Sequence, residues 1–177
     1  MQPISQEEEA RYAELQEMAL DFARKGQSDI LASMLESGLH VNLSDAKGNT
    51  LLMLASYNGE LSTTRTLIAY GASVDQRNDR DQTPLGGAAF KGYLEICKVL
   101  VEAGAKVHAD NGGGRTPIMF AALFGRVAVV EYLQSVGGKG RDETISGVSL
   151  RLVARVVLSL KMLFTGKPKH ILSARSA

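Results

Sequence analysis

The chain has 177 residues, 45% of them hydrophobic and 22% charged, proportions that fit one globular domain and exclude a disordered one. A single cysteine, Cys97, rules out an internal disulfide, a cysteine-based zinc site and a CxxC redox pair. The formal net charge of +1 hides an uneven distribution: residues 1–138 hold 12 Lys and Arg against 17 Asp and Glu, while residues 139–177 hold 8 against 2. An acidic body with a basic tail is a pattern that hints at a separate partner for the tail.

The first eleven residues read MQPISQEEEAR, an acidic segment (1–11) with three Glu where an export signal needs basic residues ahead of an apolar run. No secretion signal is expected, and the lone thiol fits a reducing, cytoplasmic setting. From about Tyr12 the chain repeats every 33 residues. Thr50, Thr83 and Thr116 are matched by Ala55, Ala88 and Ala121, by Gly59, Gly92 and Gly125, and by Gly71, Gly104 and Gly137. One period earlier lie Gly26 and Gly38, so a degenerate unit covers 12–44, ahead of units at 45–77, 78–110 and 111–143. Units of this length cannot bury their own apolar faces and must stack.

Each unit reads the same way. Asp45-Ala-Lys-Gly48 and Asn111-Gly-Gly-Gly114 predict hairpin tips, with Gly supplying positive φ and Asp or Asn capping the backbone through the side chain. Asp81 stands in the Gly48 and Gly114 column and is expected to take the left-handed conformation. The following Thr caps a short helix, in which Pro84 and Pro117 take the first position, where a missing N–H costs nothing. A second helix such as Tyr93–Ala103 places Leu94, Cys97, Val99, Leu100 and Val101 on a helical period, with Cys97 as a small buried hydrophobe, and Gly71, Gly104 and Gly137 end these helices as C′ residues. Gly86-Gly87 inside a short helix costs about 1 kcal/mol per Gly relative to Ala, so close packing or ligand access must compensate.

Asn78-Asp-Arg-Asp-Gln-Thr-Pro-Leu85, Ala88-Ala89, Gly92 and Ile96, Leu100 and Gly104-Ala105 resemble the D-x-x-G-x-T-P-L-H-x-A-A…G…L-L…G-A pattern of ankyrin repeats, a resemblance that covers roughly residues 12–138. It implies an all-α repeat solenoid of antiparallel helix pairs with projecting β-hairpin loops and a concave face made by hairpins and first helices. It also implies a module that binds another protein. Asn78 to Gly92 is most similar to small stand-alone ankyrin proteins of bacteria and fungi, which points to a free-standing adaptor or inhibitor. Met53, Gly86 and Met119 replace the family's His, so its Thr–His bond between loops is expected to be lost, with some rigidity.

By register, the resemblance assigns partner contacts to Ala46, Lys47 and Asn49, to Asp79, Arg80 and Gln82, and to Gly112, Gly113 and Arg115 on the hairpins. On the helices it assigns them to Tyr57, Asn58, Phe90, Lys91, Leu123 and Phe124. Aromatic and Arg side chains are the types enriched at interface hot spots, although Tyr57 and Phe90 could equally pack between repeats and the charges could simply be solvated.

Beyond the repeats, 144–177 is expected to be a basic, degenerate C-terminal cap and flexible tail. Residues 148–164 read as a helix with Arg151, Arg155 and Lys161 in one sector. Either its apolar face covers the last repeat, or it is a basic interfacial helix that docks on anionic lipid or a partner groove. The second reading would make the chain a membrane-peripheral or host-directed effector. Carried charges keep this stretch from reading as a membrane span.

No catalytic constellation is visible. His40, His108 and His170 have no motif around them, and Asn111-Gly-Gly-Gly-Arg115 lacks the GxxxxGK[ST] pattern of a phosphate loop. The expectation is a monomeric, non-catalytic, protein-binding module without cofactor, metal, nucleic acid or small-molecule substrate.

Overall fold

A computed structural model describes residues 5–137, 144–145 and 148–165. The first helix, α1 (Gln6–Lys25), starts inside the acidic segment because Ser5 and Glu8 form a capping box. The Ser5 hydroxyl accepts from the Glu8 amide at 3.3 Å, and the Glu8 carboxylate accepts from the Ser5 amide at 2.9 Å. Helix α2 (Ser28–Glu36) completes the first pair. Three further pairs follow: α3 (Leu51–Asn58) with α4 (Leu61–Ala69), α5 (Pro84–Lys91) with α6 (Leu94–Glu102), and α7 (Pro117–Leu123) with α8 (Val127–Val136). The hydroxyls of Thr50, Thr83 and Thr116 accept from the amides of Met53, Gly86 and Met119 at 3.2, 3.1 and 3.4 Å, so each first helix begins at the capping residue the repeat places there.

The first helices stack in the order α1, α3, α5 and α7, and the second helices in the order α2, α4, α6 and α8. Two columns of the repeat run through the core. Ala55, Ala88 and Ala121 are fully buried between neighbouring first helices, where a methyl lets backbones approach closely, and Leu67, Leu100 and Leu133 fill the layer between the two helix rows. Gly71 and Gly104 follow their helices with φ of 82° and 95°; Gly137 ends α8 differently, with φ −73° in the helical region.

Hairpin loops link the pairs. Asp45 Oδ1 accepts from the amides of Lys47 and Asn49, and Asn78 Oδ1 from those of Arg80 and Gln82, at 2.9 to 3.0 Å. Asp81 takes the expected left-handed turn, φ 59°. Asn111 departs from the expectation that it would cap its own loop: its side chain is 2% exposed and turns back toward the preceding hairpin.

After α8 the frame continues. The two-residue strands β1 (Thr144–Ile145) and β2 (Val148–Ser149) pair antiparallel, and α9 (Leu150–Thr165) packs on α7 and α8. Ala154, one period after Ala121, is again fully buried, as is Leu150. Arg151, one period after Ile118, points to solvent, since no second helix follows α9 among the described residues. The tail beyond Thr165 lies outside the described residues, as does His170.

Candidate protein-binding groove

Hairpins and first helices enclose a groove of about 740 Å³ on the inner side of the stack. Its floor is made by what is missing. Leu54, Gly87 and Phe120 occupy one repeat column, and the bare Gly87 between two large side chains opens the centre. A Cβ at Gly87 would sit 3.3 Å from the Tyr57 ring, tight but without a backbone clash.

Beside this floor runs an aromatic ladder. Tyr57 and Phe90 lie parallel, with centroids 6.3 Å apart and planes 11° apart; Phe90 meets Phe124 at 4.2 Å and the edge of Phe120 at 6.5 Å. The two readings of these rings are therefore not exclusive. Phe90 packs between repeats and lines the groove, while Tyr57, 41% exposed, offers its face to solvent and to the Lys91 ammonium 4.8 Å from its centroid.

The opposite wall is polar. The Asn78 amide donates to Asn49 Oδ1 at 2.8 Å and to Gln82 Oε1 at 3.1 Å, joining successive hairpins. Arg24 reaches Asp45 at 3.4 Å. Burial pulls the Asp45 carboxyl upward, but bonds from the Asn49 side chain and from the Asn49 and Lys47 amides, with the Arg24 charge, outweigh it and hold the group below its usual value. Lys47, Arg80 and Asp79 also line this wall, and none of the three has an ion-pair partner among the described residues. The groove thus holds three cations against two carboxylates, on a body whose charge is otherwise acidic.

Of the side chains assigned by register, Lys47, Asn49, Tyr57, Asn58, Asp79, Arg80, Gln82 and Phe90 line this groove. Lys91, Arg115 and Phe124 flank it through contacts with Tyr57, Phe120 and Phe90, and Arg115 also donates to the Gly112 carbonyl at 2.9 Å. Leu123 is exposed and makes none of these ring contacts. The register assignment left out Arg24, Asp45, Met53, Leu54, Asn78, Thr83, Gly86, Gly87 and Phe120, which also line the groove. The Leu54–Gly87–Phe120 column was the available signal, because a glycine between two bulky residues of a repeat column marks a gap.

Gly86 owes its place to packing. A Cβ there would collide with Asn111 Oδ1. That oxygen instead accepts from the Thr83 amide at 2.7 Å and from the Thr83 hydroxyl at 3.0 Å, and Asn111 Nδ2 donates to the Ala109 carbonyl at 2.9 Å. The loop-to-loop bond expected to be lost with the family's His is supplied here by Asn111, because the missing side chain at 86 leaves room for it.

A row of stacked helix pairs joined by hairpin loops is the architecture of an all-α repeat solenoid. Residues 19–111, just over half of the chain, match ankyrin repeats in three copies, and the chain belongs to the ankyrin-repeat family. It is 51% identical over 45 residues to an ankyrin repeat protein of Pseudomonas aeruginosa, across 25% of this chain and 26% of that protein. It is 44% identical over 54 residues to ankyrin repeat domain-containing protein 29 of Danio rerio, across 30% of this chain and 18% of that protein. The chain thus spans about a quarter or less of the length of these relatives. Ankyrin repeats generally mediate protein–protein interactions and are generally non-catalytic. Among the described residues no helix is long and apolar enough to cross a membrane.

Proposed function

We propose that this chain is a non-catalytic binding module, an adaptor or inhibitor at work in the cytoplasm, that holds a segment of a partner protein in its inner groove. The observation that carries the reading is the groove itself: a cleft opened by Gly87, flanked by an aromatic ladder and faced by Lys47 and Arg80, which have no ion-pair partner among the described residues. That combination suits an extended segment with apolar side chains on one edge and carboxylates on the other. Helix–hairpin scaffolding holds the surface in one geometry, so association orders little that was mobile before.

Recovery of partners from the source lysate, compared between the native chain and Lys47→Glu/Arg80→Glu, tests this. Both side chains are exposed, so the far-UV spectrum should be unchanged while the partner is lost. Phe90→Ala, which also loosens the ladder, should lose it as well. Partners retained equally by all three proteins would refute the groove as the binding site.

An effector that used the 148–164 helix as anchor would draw on Arg151, Arg155 and Lys161 as surface cations. Lys161 donates to the Phe124 carbonyl at 2.8 Å and lies 5.6 Å from that ring, so it ties α9 to the end of α7.

A further inference from the structure

Among the described residues, the two ends of the stack carry exposed helix faces of opposite charge. Leu150 and Ala154 anchor α9 against the stack, but Leu152, Val156, Leu160 and Leu163 on its outer side are 48 to 79% exposed. Their spacings of four, four and three residues put them in one stripe. Arg151 and Arg155, both exposed, run beside it. A stripe of this kind on a protein surface marks a contact site.

At the other end, α1 packs on α2 and α3 through its C-terminal half, where Ala19, Leu20 and Ala23 are buried. Beside Phe22, which is half-buried against the core, Leu15 and Met18, each 44% exposed, form a short apolar row on the exposed side of α1. Around it stand Glu7, Glu8, Glu9, Glu14 and Glu17, all exposed and without ion-pair partners among the described residues.

First helices stack as α1, α3, α5, α7 and α9. The outer face of α9 is where the next first helix would lie, and the outer face of α1 is where a preceding one would. We propose that these faces dock on each other in two copies of the chain, head to tail, with α1 of one copy continuing the stack beyond α9 of another. Apolar row meets apolar stripe, and Glu14 and Glu17 face Arg151 and Arg155.

The chain's own residues 166–177 are a poorer cover for α9, since they carry Lys167, Lys169 and Arg175 and no acidic side chain. An anionic lipid surface would complement α9 but repel α1, leaving that apolar row unexplained. Because the two patches differ, the contact is heterologous and does not close on a two-fold axis.

Sedimentation of the full chain over a range of concentrations tests the proposal, with two variants placed on exposed side chains and checked for native far-UV spectra. Leu15→Gln/Met18→Gln blocks the head and Val156→Gln/Leu160→Gln blocks the tail, neither adding charge. The native chain should rise above 19.0 kDa with concentration and each variant alone should stay there. An equimolar mixture of the two should form a species of twice that mass and nothing larger.

A native chain that remains at 19.0 kDa up to about 1 mM, where a contact with a Kd of that size is half formed, would overturn it. So would a dimer that survives the head variant and is lost only in the tail variant, the mark of symmetric α9 pairing. Binding of the monomer to phosphatidylserine vesicles through Val156 and Leu160 would assign the stripe to lipid instead.

Discussion

At Gly86 a side chain is absent so that one from the next repeat can enter, and the pair Gly86–Asn111 has to be read together. Alanine at 86 would gain about 1 kcal/mol of helix propensity but displace a buried amide whose polar ends would cost about 1–3 kcal/mol without partners. Gly86→Ala is therefore expected to destabilise by up to about 2 kcal/mol net. Gly86→Ala/Asn111→Ala should fall short of the sum of the single changes by about 1 kcal/mol or more; strict additivity in urea melts would mean the two residues do not share that space. Asp45 makes a second residue-scale test. Its carboxyl titrates below the usual 3.8 in the folded chain, so its contribution is complete above that value and is lost as pH falls through the lowered one. Between about pH 4 and 2 the native chain should lose more stability than Asp45→Asn, which keeps the acceptor oxygen that Asn78 uses one repeat later. Parallel acid profiles for the two proteins would remove Asp45 from the account.

Among elements, the helix pairs were legible because the same columns recur: a Thr that caps, an Ala that lets helices approach, a Leu between the rows. Leu100 is fully buried between α5, α6 and their neighbours, and Leu100→Ala should cost about 2–5 kcal/mol; a change within about 0.5 kcal/mol, the scale of surface substitutions, would show the register to be wrong. What the period could not convey were departures from it. Asn111 looks like Asp45 and Asn78 in the alignment of repeats, yet its amide turns the other way because only its predecessor has glycine at the facing position. The groove was located by register, but its depth depends on Gly87, whose effect is a void. Helix α9 follows the frame at Leu150 and Ala154 and abandons it at Arg151, since a helix at the end of a stack answers to solvent on its far side.

For the whole molecule, contacts run only between neighbours, so stability should be graded along the row. In dilute solution the slowest amide exchange is expected in α5 and α6, the pair at the middle of the row, and the fastest in the first turns of α1 and the last turns of α9. Uniform protection from end to end would indicate one cooperative block. The Asn111–Gly86 contact sets a further condition, on how such a chain can lengthen. Copying residues 78–110 in tandem leaves every Asn or Asp at a loop start facing a glycine at the 86 column or a position that never received a buried amide. Copying residues 111–143 instead sets a second Asn111 against Met119, the situation of Asn78 opposite Met53, so that its side chain would cap its own loop and the buried link would not be reproduced. Growth by duplication thus repeats the link at one unit and not at its neighbour, and a single missing side chain gives this row of repeats a direction.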